Sequence, residues 1–472
     1  MRFKCFAAAT VSLAVAFGAF LYADAAPPVQ SDISSMFDSL QGEGTAEDPY
    51  LVGSESELLH IADRINAGDT AYASAYYRQT APIALTAFAP IGTAENPFSG
   101  TYDGQGYPVR FEAVPTFTDT AYAGLFGNAN KASFLNIVLV GDLSVTDSKE
   151  EELFAGLLCG YYTSARRGDA YIRNCEALGN VTAQTSSGTA YAGGLIGQMR
   201  LSGGTVAFSD CYAEGNVAST GKYSAFSGGI CGFTRAATGS VVTYTRCIFN
   251  GEASSEGKTV SGYSGGITGY FMQDGAWISS LSSLLADENY NLSDCAASGS
   301  IYANGALETH LGSLSGYVNS DVTANNVYAA LSSAAYSKNT LNGKAVEAET
   351  LFSSDFFADT LNFDVTGTWI PLADKSGARL KSEYIELIRI RLAADQPQTL
   401  RFQPINCEEG LFTAAFYDDS GRMLHARSVA FSSETPTFFT TLPENAGNYR
   451  VFLFADSKSL RPLIAKTLDL TA

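Results

Sequence analysis

The stretch AGGLIG (192–197) is one of six variants of a single phrase, the others reading AGLFG (123–127), AGLLCG (155–160), SGGICG (227–232), SGGITG (264–269) and LGSLSG (311–316). Self-similarity at a period near 36 residues marks a solenoid, because each unit is too small to bury its apolar edge except by stacking on its neighbours. With one turn per unit and strands about 4.8 Å apart, six units make a stack roughly 29 Å tall. The expected fold class is therefore all-β, a parallel β-solenoid.

The residue two before each closing glycine is Leu125, Leu158, Leu195, Ile230, Ile267 or Leu314, aliphatic every time. The next residue wanders through Phe126, Cys159, Ile196, Cys231, Thr268 and Ser315. A fixed apolar column beside an unconstrained one predicts a strand with one face in the core. Stepping back by twos reaches a glycine in most copies, then Phe154, Tyr191, Phe226, Tyr263 and His310. This spacing predicts an aromatic stack inside the solenoid.

A second set of columns follows in FLNIVLVGDL, IRNCEALGNV, FSDCYAEGNV, YTRCIFNGEA and LSDCAASGSI, with a degenerate last copy at ANNVYAAL. Its inward positions are expected to hold Phe134, Ile172, Phe208, Tyr244 and Leu292, then Ile137, Cys175, Cys211, Cys247, Cys295 and Val327. Leu139, Ala177, Ala213, Phe249 and Ala297 follow. Gly at a fixed offset suits strands that turn a corner.

Residues 1–25 read as a signal peptide: Arg2 and Lys4, an apolar run from Phe6 to Tyr22, then Ala23-Asp24-Ala25 as the cleavage site. No other segment is apolar enough to span a bilayer, so no stable membrane insertion is expected after its removal. A linker (26–41) leads to an N-terminal cap with the first strands (42–120). There Ser54 and Glu57 form a capping box, and Leu58, Leu59, Ile61, Ala62 and Ile65 form one helical stripe ending at Gly68. The solenoid repeats are expected over 121–335 and a C-terminal cap over 336–382. From 383 to 472, YIELIRIRL, LFTAAFYDDSG, RMLHARSVAF, TPTFFTTL and NYRVFLFAD alternate apolar and polar with turns between, which predicts a small antiparallel β-sandwich able to fold alone. The net charge of −19 disfavours nucleic acid as a partner.

GTAEDPYLVGSESELLHIADRINAG, APIALTAFAPIGTAENPFSGTYDGQGYPV and the repeated GGLIG and NC segments resemble bacterial surface proteins carrying the GLUG motif, including the repeat region upstream of immunoglobulin-A metalloproteases. The resemblance covers 42–381. AAFYDDSGRMLHARSVAF with LPENAGNYRVFLFADSKSLRPL is similar to a sandwich module appended to secreted proteins of Gram-positive lineages. Together they imply an extracellular or cell-surface role such as adhesion, and they supply no catalytic residues.

Four cysteines share one repeat column, but Ile137 and Val327 fill the same position at its ends, so the column asks for a small hydrophobe and predicts buried thiols, not metal ligands. Disulfides between stacked neighbours such as Cys175 and Cys211 stay open on spacing alone. His60, His310 and His425 are scattered, with no HExxH, no GxSxG and no phosphate-binding glycine loop, so no cofactor or metal is expected. Asn136, Asn174, Asp210, Arg246, Asp294 and Asn326 precede the cysteine column and read as a turn-forming ladder. Between Gly269 and Cys295 an insertion, GAWISSLSSLLADENY, carries Trp277, Leu281 and Leu284, the candidate ligand-binding residues, with a flank-covering helix as the alternative. The functional expectation is an exported, non-enzymatic, adhesin-like protein whose partners are glycans or host-matrix proteins. A polysaccharide lyase or hydrolase on a β-helix is the alternative, to be marked by convergent carboxylates with a Lys or Arg in a lateral groove. A purely structural stalk is the third reading.

Overall fold

The computed structural model describes residues 40–380, apart from breaks at 87–88, 113–115, 118–120, 147–150, 165–167, 275–289, 320–321, 332–336, 366–367 and 372–376, together with strands between 385 and 469. Each repeat contributes to three parallel ladders. The first joins Tyr122–Ala123, Glu152–Gly156, Thr189–Gly193, Ala225–Gly228, Ser261–Gly265 and Glu308–Gly312. The second joins Phe126–Asn130, Cys159–Ser164, Ile196–Leu201, Cys231–Ala237, Thr268–Asp274 and Ser315–Val318. The third is a broad sheet holding the cysteine segments of every rung. It reaches back to Tyr50–Val52, which pairs in parallel with Tyr76–Gln79, and forward to Lys344–Ala345, which pairs with Tyr328 and Ala329. Parallel winding thus begins within the region read as an N-terminal cap.

The helix Glu55–Asn66 forms where the capping box was expected. The Ser54 hydroxyl accepts from the Glu57 N–H, and the Glu57 carboxylate accepts from the Gly53 N–H at 2.7 Å. Leu58, Ile61, Ala62 and Ile65 are its buried face, and Gly68, at φ 95°, follows its end.

Inside the rungs, Leu125, Leu158, Leu195, Ile230, Ile267 and Leu314 are fully buried. So is the column beside them, from Phe126 and Cys159 to Thr268 and Ser315, which corrects the reading of that column as unconstrained. The chain does not run straight through the phrase. It bends after Gly156 and resumes at Cys159, so neighbouring residues no longer alternate between faces and both enter the core.

The cysteine column stands as expected. Cys175, Cys211, Cys247 and Cys295 are free thiols with no exposure, and Cys211 and Cys247 are register partners. Burial pushes the Cys231 thiol up to about 11 and those of Cys175 and Cys247 well above their ordinary value. All six described cysteines are without exposure, so on steric grounds they are expected to resist iodoacetamide in the native protein and to react after denaturation; prompt native labelling would contradict their burial.

Two corners turn each rung of the broad sheet. Asn136, Asn174, Asp210, Arg246, Asp294 and Asn326 all lie at φ 51–56°, the left-handed region that Asn and Asp tolerate best. Their side chains form a ladder along the solenoid: Asn136 Nδ2 donates to Asp103 Oδ1 at 2.8 Å, Asn174 Nδ2 to Asn136 Oδ1 at 3.0 Å, and Arg246 to both Asp210 oxygens at 2.6 and 2.7 Å. The second corner is glycine: a Cβ on Gly215, at φ 127°, would lie 2.3 Å from the Gly179 carbonyl oxygen. Asn174→Ala should destabilise the fold by about 1–2 kcal/mol, from the left-handed backbone and the lost ladder bond. An unchanged denaturation midpoint would remove the ladder from the account.

The described residues between 346 and 380 pack back onto the broad sheet as a strap. Leu351, Phe352, Phe357, Leu361, Phe363, Trp369, Ala378 and Leu380 bury themselves against Tyr212, Ile248 and Ala296. The C-terminal strands pair antiparallel in two sheets: Ile385–Ile390, Thr399–Pro404 and Phe438–Thr441 in one, and Met423–Phe431, Gly410–Tyr417, Asn448–Phe454 and Ile464–Asp469 in the other.

Candidate functional site: an aromatic trough on the outside of the solenoid

The aromatic column exists, but on the opposite face from the one expected. In the strand Ala225–Gly228, the Ser227 hydroxyl lies 2.7 Å from that of Ser219 and donates to the Ser254 carbonyl, both on the broad sheet across the interior. Ser227 therefore points inward, and its neighbour Phe226 points outward. The same alternation sets Leu153 and Ala155 inside and Phe154 outside. On that outer surface the side chains of the first and second ladders meet in one cluster along the line where the chain bends. Large rings make it up.

Along the first ladder, Tyr122, Phe154, Tyr191, Phe226, Tyr263 and His310 stack with ring centroids 4.6–5.4 Å apart and planes within 11° of parallel. From the second ladder Tyr161, Phe233, Tyr270 and Tyr317 meet them across the line of the bend, at 4.9, 5.0, 5.2 and 4.5 Å. Phe154, Tyr191, Phe226 and Phe233 are buried, whereas Tyr122, Tyr161, Tyr263 and Tyr270 are half-buried at the surface of the same cluster. Asn128 and Gln198 stand in place of the ring on the two remaining rungs. Stacking consumes the ring faces, so edges and phenol hydroxyls are what the trough offers a ligand. Tyr191 Oη donates to Glu152 Oε1 at 3.0 Å, and His310 Nε2 lies 3.1 Å from Glu308. Burial first, then the Glu152 charge, holds the Tyr191 phenol well above its ordinary value, which keeps it a neutral donor.

The second-ladder aromatics were legible but overlooked: in four of the six copies the residue after the closing glycine is Tyr161, Phe233, Tyr270 or Tyr317. The sequence candidates Trp277, Leu281 and Leu284 lie outside the described residues. His60 lies beside Tyr72 on the N-terminal helix, far in sequence from the trough, while His310 closes its aromatic stack.

A second convergence of charged groups lies on the flank beneath the strap. Arg379 donates to both Glu214 oxygens at 2.9 and 3.1 Å, and its Nε is 4.0 Å from the fully buried Glu176. Tyr212 donates its hydroxyl to Glu214, and Asn250 reaches the same carboxylate at 3.4 Å. Trp369 Nε1 donates to Asp210 Oδ1 at 3.0 Å. Burial alone would raise the Glu214 carboxyl, but the Arg379 guanidinium outweighs it and holds the group below the usual carboxylate range. These pairs clasp the strap to the flank.

The arrangement defines a parallel β-solenoid with an external aromatic trough. No family model matches the chain. It is 30% identical over 175 residues to Halomucin of Haloquadratum walsbyi, an alignment that takes in 34% of this chain and 2% of that far longer protein. A crystal structure from Bacteroides ovatus, assigned provisionally as an immunoglobulin A1 protease, superposes with a TM-score of 0.49 at 17% identity, covering 72% of this chain and 94% of that one. No helix among the described residues is long and apolar enough to cross a membrane.

Proposed function

We propose that this is an exported, adhesin-like protein of the cell surface or extracellular space, in which a rigid β-solenoid presents the aromatic trough to glycan or matrix-protein ligands. The observation that carries the reading is the outward aromatic column: ten rings are spent on a surface notch that a stalk could have filled with small residues. The likeness to a protein named as a mucin, the leader-like N-terminus and the resemblance to GLUG-motif surface proteins support the exported setting. The trough's phenol edges suit hydroxyl-rich partners.

The test is a screen of the full chain, leader removed, against a glycan array and immobilised matrix proteins, repeated with Tyr270→Ser/Tyr317→Ser. Loss of about tenfold in affinity, near 1.4 kcal/mol, with an intact melting transition is the expected result. A folded variant that binds as the parent does would remove the trough from the function. The carbohydrate-active alternative has one observation in its favour, the Glu176, Glu214 and Arg379 convergence. Glycan cleavage abolished by Glu214→Gln would establish that reading instead.

A further inference from the structure

We infer that the trough takes an anionic polysaccharide, one whose sugars carry carboxylate or sulfate groups, held between two banks of cations. The inference rests on the trough being the binding face and names the ligand class for it. The chain has 48 acidic against 29 basic residues, so cations gathered at one place stand out against the rest of the surface. On one side of the trough, the turns that lead into the first ladder carry Lys222 and Lys258, both exposed. Gly221 and Gly257 are register partners, so the two lysines follow at equivalent positions. The Lys258 N–H donates to the Gly221 carbonyl at 3.0 Å, and Thr259 Oγ1 donates to that of Lys222 at 2.6 Å, which fixes one turn upon the other. On the far side, Arg200 and Arg235 are register partners in the second ladder. They stand two residues beyond Gln198 and Phe233 and so share the outward face.

Like charges on adjacent strands, about 4.8 Å apart, repel and weaken a sheet. Here they recur on both sides of one notch. Thr189 and Ser261, the first-ladder register partners of Glu152 and Glu308, carry no charge, nor does Ser224 just before the strand Ala225–Gly228. The nearest carboxylates of that ladder, Glu152 and Glu308, sit on the flanking rungs and are engaged by Tyr191 and His310. Glu256, exposed one residue before the turn, is the acid closest in sequence to Lys258. Neither lysine makes an ion pair among the described residues; Lys222 instead lies over the Tyr223 ring at 5.2 Å. Tyr223 and Leu307, 45% and 74% exposed on the stacked turns, add apolar contact beside the charges. A polyanion with hydroxyl groups between its charges satisfies all three features: cations on both banks, phenol edges on the floor and apolar contacts at the turns.

The experiment measures retention of the full chain, leader removed, on immobilised polygalacturonate, heparin, neutral dextran and poly-glutamate, at low and at physiological salt. Polygalacturonate or heparin should be held and dextran not. Lys222→Ala/Lys258→Ala should weaken retention at least about threefold at low salt, less as salt screens the pairs, and Lys222→Arg/Lys258→Arg should restore it. Equal retention on dextran, an alanine variant that binds as well as the parent, or tighter binding to poly-glutamate would overturn the inference. If neutral glycans or matrix proteins are held and lost only on Tyr270→Ser/Tyr317→Ser, the charge inference fails while the adhesin reading stands; if no probe or array ligand is held, both fall.

Discussion

Trp369→Ala is expected to release the strap from the solenoid at a cost of about 3–5 kcal/mol, the range for emptying a fully buried indole site. Trp369 has no exposure, packs against Phe363 at 4.8 Å between ring centroids, and donates to Asp210 across 159 residues of sequence. Its removal leaves a cavity among Phe357, Phe363 and Tyr212 and takes the donor from a carboxylate that also holds Arg246. Hydrogen exchange should show residues 346–380 losing protection while the cysteine segments keep theirs, because the three ladders do not depend on the strap for pairing. Acid should have a related effect. The Glu214 carboxyl is held below its ordinary range, so its contribution is complete above the unfolded value of about 4.3 and is lost as pH falls through the lower folded one. Arg379→Ala and the parent should therefore converge in strap protection at acid pH. Uniform loss of protection in Trp369→Ala, ladders included, would show instead that strap and solenoid unfold as one unit.

Leu195→Ala should lower stability by about 2–5 kcal/mol. Leu195 has no exposure and stands in the middle of an aliphatic column, with Leu158 and Ile230 on the neighbouring rungs. Close backbone contacts on each side limit relaxation: a Cβ on the adjacent Gly194 would already lie 2.2 Å from the Gly229 carbonyl oxygen. A cavity at this position stays open, so the large end of the range is expected. Denaturant unfolding checks it, and a midpoint within error of the parent would mean that the column is not the core.

The repeat period, the inward cysteine column, the turn-forming Asn/Asp ladder and the helix with its capping box were all legible in the sequence. The first three rest on a constraint that acts within one rung and recurs in the next, so the copies average away local noise, and the helix rests on a local capping pattern that needs no tertiary partner. Burial of Cys175 could be read from Ile137 and Val327 because register stacks equivalent residues. The sense of the aromatic column could not be read this way. Alternation assigns Phe154 and Phe226 to a face only if the strand is straight, and whether the chain bends after the glycine is decided by how the first and second ladders pack against the broad sheet. Buried rings at a surface notch and buried rings in a core leave the same composition.

The strap and the cationic banks were beyond sequence for a different reason. Trp369 finds Asp210, and Arg379 finds Glu214, across more than 150 residues with no periodicity to align them. Lys222 precedes the first-ladder strand and Arg235 lies in the second-ladder strand, so they flank the ring cluster only because the chain between them passes through both ladders. The sequence by itself determined the solenoid, its rung length and which small residues line its interior, since those follow from self-repetition and side-chain size. The tertiary structure alone decided which outward columns converge into a site, since convergence depends on how the ladders meet and not on the order of residues along the chain.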